Sequence, residues 1–442
     1  MSDETPKDPQ EPDDEFLGML QEFLKGNSDL DPAKLASAAG LPNDPAAVQQ
    51  LMQQLQNAMQ TSGEGINWAV ASQQAKELSA KTSVSVTAEQ RFELDAALRV
   101  ASLWLDEAST ISSFGLAPRY LSRTEWTSAT MAVWTQLAEP VALSIADALT
   151  DVLKQQAPEE MAGMLEGASK LMRNLGGTLF AAQLGQVVGQ LSTEVVSGGD
   201  VGIPLIEDGQ AALVPQNIAA FGEGLDIPAD QIQLYLAVRE LAHARLFRHA
   251  KWLRLHLISS ITEFARGIRI DTDRLEELAA DFDPSNPEEL RQAMVSGALI
   301  PPKTETQLKA LARLETMLAL IEGWVDVVTA QATTRLPSRD AIAETVRRRR
   351  ASGGPAESAF STLVGLELRP RRLREAAALW QAVTDAAGSE GRDNLWAYPD
   401  LLPTAEDVDD PTALLARLAG GAPEQDEMDK ALEDLLRGEA ES

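Results

Sequence analysis

All three histidines of this chain fall in one stretch, LAVRELAHARLFRHAKWLRLHL, residues 236–257. Within it, Glu240-Leu241-Ala242-His243 reproduces the last four positions of the helical signature H-E-x-x-H. In that signature, two histidines one turn apart hold a divalent metal, and the glutamate takes a proton from metal-bound water. Arg239 stands where the first histidine should be. A guanidinium has no lone pair to offer a metal, and its charge repels one. The stretch therefore reads as a metal site, as the remains of one, or as an ordinary helix with a chance likeness.

Residues four apart on a helix are separated by roughly 40° around the axis, so Arg239 and His243 share a face. Ile232, Tyr235, Leu246, Ala250, Leu253 and Leu257 fall on the same face if the helix runs unbroken. Both polar residues thus lie within an apolar stripe, where a charge needs a specific partner. His249 lies roughly 120° from His243, and about 10 Å of axis separates His249 from His256, so neither completes a site within one straight helix. Both read as surface or capping histidines; a helix break would bring His249 into play as a secondary ligand.

A second helix, about 304–332, carries Leu311, Leu314, Leu318, Ile321, Val325 and Val328 at helical spacing. Glu322 falls in the centre of that stripe, and Asp326 lies one turn further, close to the same face. A carboxylate on a core face is protonated, paired or metal-bound. One helix thus offers an inward Arg and His, the other an inward Glu. A buried ion pair is the plain structural explanation.

The elements that must position these residues are helices. Hydrophobic residues make up 44% of the chain and aromatics 5%, with alanine and leucine abundant, a balance that disfavours sheets. Helices are predicted at 66–80, 87–111 (after a Thr87…Gln90 capping box), 124–154 (interrupted or ended near Pro140), 158–173, 178–196 and 229–266. Gly185 and Gly189, four apart, let two helices approach closely. Ahead of the histidine helix, two short apolar runs flank Asp208-Gly209, so a minor β-hairpin is expected there. Further helices follow in PSRDAIAETVRRRRASGG and RPRRLREAAALWQAVTDAAG. The Arg run 347–350 and the cluster 369–374 read as a solvated helix face, or as a site for phosphate, an acidic partner or the chain's own tails. The tryptophans are assigned to core packing.

At both ends the composition changes. Residues 1–15 and 421–442 are acidic and read as disordered tails, with a helical segment at 16–86 that includes the docking patch FLGMLQEFL. The net charge of −29 excludes nucleic acid or an anionic membrane surface as the main partner. Without cysteine there are no disulfides, thiolate metal sites or thiol nucleophiles, so a metal would need His, Asp or Glu. The sequence also lacks a nucleotide-binding glycine motif, a G-x-S-x-G elbow, a signal-like start and an apolar run of about 20 residues. A cytoplasmic protein is expected.

The segments LFAAQLGQVVGQLS, NIAAFGEGLDIP, RELAHARLFRHAKWLRLHL, EFARGIRID and ALIEGWVD together resemble the zincin-like metallopeptidase family of bacterial hydrolases. One branch of that family is associated with biosynthesis of a deazaflavin coenzyme. A weaker likeness extends through GLELRPRRLREAAALWQAV and NLWAYPDLLPT, covering roughly 90–418. The resemblance implies a mainly α zincin-like domain, here residues 87–420. It also implies Glu240 as general base, His243 as second ligand and Glu322 as downstream carboxylate ligand, with Arg239 at the first-ligand position. An alternative ligand set is His243, Glu240 and Glu322 with His249. The expectation is a protein with no cofactor or weakly bound zinc that binds a protein or peptide; the other class is a working zinc hydrolase.

Overall fold

The computed structural model describes residues 66–112, 115–156, 162–206, 209–268, 303–351 and 372–419. The acidic tails expected at 1–15 and 421–442, and the patch FLGMLQEFL, lie outside the described residues. As expected, the fold is mainly helical. In chain order come α1 (Ala69–Ala80), α2 (Ala88–Ala108), β1 (Arg119–Tyr120), α3 (Arg123–Gln156), α4 (Ala162–Leu191), β2 (Ala212–Leu213) and α5 (Pro215–Gly222). Then follow α6 (Ala229–His249), α7 (Trp252–Ala265), α8 (Glu305–Ala332), α9 (Arg339–Ala351), α10 (Leu373–Asn394), α11 (Ala405–Asp409) and α12 (Thr412–Ala419). The described residues divide into two compact units: those within 67–146, 177–268 and 303–419 form one, and those within 147–176, with residue 66, the other. The site described below lies in the first.

Local chemistry starts the helices. At α2, Thr87 Oγ1 accepts from the Gln90 N–H at 3.1 Å and Gln90 Oε1 accepts from the Thr87 N–H at 3.0 Å, the expected capping box. The same reciprocal pair, Thr304 and Gln307, opens α8. The Gly185/Gly189 spacing has a visible use: a Cβ at Gly185 would come within 2.5 Å of the Ala71 carbonyl oxygen. One at Gly189 would meet Leu78 at 2.8 Å, so α1 lies against α4 only because both positions lack a side chain.

Besides α3, which runs as one helix through Pro140 where an interruption or end was expected, three elements differ from the sequence expectation. First, α4 is one helix through Gly176-Gly177 rather than two. Two helical glycines cost roughly 1 kcal/mol each relative to alanine, little enough for packing to offset. Second, the expected helix 229–266 is two. Ala250 leaves helical geometry (φ −92°, ψ 65°), and α7 restarts at Trp252, whose indole N–H donates to the Trp396 carbonyl at 3.2 Å. No Gly or Pro marks this break; a tertiary contact accompanies it.

Third, β2 does not pair across Asp208-Gly209. It pairs in parallel with the distant β1, Arg119 opposite Ala212. On its other side, Gly198 N–H donates to the Ala212 carbonyl at 2.8 Å and Val214 N–H to the Val196 carbonyl at 2.9 Å. With the 119–121 segment on one edge and 196–198 on the other, β2 has no edge free for a hairpin partner.

The core is built partly from indoles. Trp324, Trp380 and Trp396 are fully buried, and Trp380 stacks on Trp396 at 5.5 Å. Gly323 allows α8 and α10 to touch: its missing Cβ would stand 2.8 Å from the Ala376 carbonyl carbon. α8 also packs against α6 and α7, so α6 and α8 share the face on which the polar residues lie.

Candidate functional site

α6 buries Arg239, Glu240 and His243, which are 5%, 2% and 1% exposed, and α8 buries Glu322 at 7%. The two helices turn Arg239, His243 and Glu322 toward one another. Arg239 donates from Nη2 to Glu322 Oε2 at 2.5 Å and from Nη1 to Asp326 Oδ1 at 3.2 Å. His243 Nε2 faces Glu322 Oε1 at 3.1 Å, and its Nδ1 lies 3.1 Å from the Arg239 carbonyl oxygen. Burial, reinforced by the charges of Arg239 and Arg350, holds the His243 pKa well below the ordinary imidazole value. A neutral ring has one N–H, and the carboxylate at Nε2 is the stronger acceptor.

Glu240 points elsewhere. Its Oε1 accepts from the Ala212 N–H at 2.7 Å and its Oε2 from the Gly199 N–H at 2.8 Å. The side chain thus closes the end of the small β ladder, taking backbone donors that another strand would have met. Burial pushes its carboxyl up to about 7, against hydrogen bonds from Ala212, Ser197 and Gly199 that favour the ionised form.

Over these residues runs the strap 196–202, sequence VSGGDVG. A Cβ at Gly199 would meet His243 Cβ at 2.5 Å, and one at Gly202 would meet Glu322 Oε1 at 2.7 Å. Gly202 also has φ +79°, a conformation open to glycine. The strap therefore rests its backbone directly on the two side chains. Asp200 fixes it: Oδ2 accepts from the Val196 N–H and from Arg349 Nη1, both at 3.0 Å. Burial works to raise the Asp200 carboxyl, but Arg349 and Arg350 outweigh it and its pKa is lowered.

Sequence reasoning missed Asp200, and it read Arg349 and Arg350 as part of a solvated face or an anion site, not as partners of Asp200 and Glu322. The Arg run is not one solvated face. Arg348 is 75% exposed, whereas Arg350 is 13% exposed and sets Nη1 against Glu322 Oε2. A usable signal existed: Ile342, Val346 and Arg350 recur at four-residue spacing, and the first two are buried. Burial, with Arg239 close by, lowers the Arg350 pKa to about 9. Of the residues singled out from sequence, the structure brings Arg239, His243, Glu322 and Asp326 into one network, with Glu240 beside it. His249 is exposed at the end of α6 and takes no part.

The donor set can be tested against zinc. His243 Nε2 and Glu322 Oε1 stand 3.1 Å apart, near the ~3.3 Å expected for two ligands about 2.0–2.1 Å from a tetrahedral ion. Yet Glu322 Oε2 is held by two guanidiniums, and Arg239 supplies no lone pair. Asp326 is paired with Arg239 and Arg347, and Asp200 with Arg349. Among the described residues, no group of three or more His, Asp or Glu side chains is placed to hold a metal ion. These residues do not fit zinc.

The chain belongs to the zincin-like metallopeptidase family, whose model matches residues 66–415. A crystal structure of a candidate hydrolase with a novel fold from Chloroflexus aurantiacus is similar at 21% identity and a TM-score of 0.55. That match covers 80% of this chain and 98% of the other, and it shows a shared fold. No curated protein matches. Among the described residues, no helix is long and apolar enough to cross a membrane.

Proposed function

We propose that this chain is a noncatalytic, cytoplasmic member of its family that binds or scaffolds a protein or peptide. In this reading the signature Arg239-Glu240-Leu241-Ala242-His243 is degenerate, and the protein carries no cofactor or only weakly bound zinc. One observation carries the reading: the Arg239 guanidinium lies 2.5 Å from Glu322, donating where a metal would have to receive. A metal-activated water needs an open coordination position. The strap glycines, pressed on His243 and Glu322, support the view that none is offered here.

A second reading, a zinc-dependent peptidase with an unusual ligand set, is favoured by Glu240. A carboxyl pushed up to about 7 at the general-base position is what proton transfer near neutral pH requires. Peptide hydrolysis by the purified chain, with and without a strong chelator, separates the two. The noncatalytic reading expects no chelator-sensitive cleavage; cleavage that the chelator abolishes and zinc restores would replace it with the second.

A further inference from the structure

Glu322 faces more positive charge than one substituted ligand accounts for. Arg239 reaches Oε2 from α6, and Arg350 reaches the same oxygen from the last turn of α9. Arg350 is held from a second side as well. Its Nη2 donates to the Asp200 carbonyl at 3.1 Å and lies 3.9 Å from Asp200 Oδ1. Along the run, Arg347 pairs with Asp326 and Arg349 with Asp200, while Arg348 turns outward, 4.0 Å from Glu344; among the described residues of the run, Arg350 alone reaches Glu322. Arg350 therefore ties together the carboxylate that a metal would need and the strap that lies over it.

We propose that two guanidiniums, Arg239 and Arg350, together stand where this chain would need a divalent ion, and that Arg350 is an independent lock on Glu322. The inference rests on the reading of Arg239 as a substituted ligand and adds a second residue to it. Two monocations match the charge of one divalent ion, and their N–H groups satisfy a carboxylate that His243 alone would leave under-compensated. It follows that an imidazole restored at position 239 is insufficient. Glu322 Oε2 would still be held by Arg350, and the ion would have to displace a buried charge.

The test uses the full chain without a histidine tag, in five forms: unmodified, Arg239→His, Arg350→Met, Arg239→His/Arg350→Met and Arg239→His/Arg350→Lys. Cobalt titration, followed by visible absorbance and by competition with zinc, reads the affinity. Arg239→His and Arg350→Met should each bind poorly. The double variant should bind about one equivalent, roughly 10–100-fold tighter than Arg239→His, the scale on which groups around a metal's ligands act. Arg239→His/Arg350→Lys, which keeps the charge, should bind as poorly as Arg239→His.

If the double variant folds only with metal, a cooperative melting transition that appears with zinc supports the inference, and no transition with zinc overturns it. Equal affinity of Arg239→His and the double variant would also overturn it, while leaving the noncatalytic reading intact. One equivalent of tightly held zinc in the unmodified chain would instead defeat that reading itself.

Discussion

Arg239 and Glu322, 83 positions apart in sequence, meet at 2.5 Å inside the helical core. Each lies on the apolar face of its own helix, and both are buried. A buried charge that loses its partner keeps the full cost of its desolvation. Arg239→Ala should therefore destabilise the chain, toward the lower end of the roughly 3–5 kcal/mol typical of broken buried pairs, because Arg350 stays on Glu322. Urea denaturation measures the loss. Combining the substitution with Glu322→Gln should cost less than the sum of the two; strict additivity would mean that the pair is not coupled.

Glu240 makes the stability depend on pH in a defined direction. Its folded pKa, about 7, lies above the ordinary 4.5, so the folded state holds its proton more tightly than the unfolded state does. The associated stability is complete below about pH 4.5 and is lost as pH rises through about 7. Glu240→Gln removes this titration. Relative to that variant, the unmodified chain should lose on the order of 3 kcal/mol between pH 4.5 and 8. Melting curves of both proteins across that range decide it; parallel pH profiles would show that Glu240 is ionised throughout.

The strap tests the packing. In Gly199→Ala the new methyl meets the His243 Cβ, an atom near the backbone that has little room to yield. Overpacking of this kind costs roughly 1–3 kcal/mol. Gly202→Ala should cost more, since φ +79° adds backbone strain to a contact with Glu322. Wild-type stability in both variants would mean that the strap does not press on these side chains.

Much of this arrangement was legible in the sequence. The apolar stripes of α6 and α8 placed Arg239, His243 and Glu322 inward, because helical periodicity ties burial to spacing. The capping threonine Thr87 fixed the start of α2. What could not be read was set by contacts between distant segments. Ala250 breaks the helix without Gly or Pro, β2 finds its partner in residues 119–120, and Asp200 matters only because the strap crosses α6. Arg350 lay in between. Its four-residue spacing from Ile342 and Val346 was visible, but an arginine run is read as a solvated face unless a buried acceptor is known.

The most direct measurement is the metal content of the chain purified without a histidine tag, by elemental mass spectrometry against protein concentration. With Arg239 holding Glu322, the protein should carry well under one equivalent of zinc, and dialysis against a weak chelator should remove what there is. Stoichiometric zinc, released only by strong chelation, would contradict the account. It would mean that His243, Glu322 and a third ligand form a working metal centre.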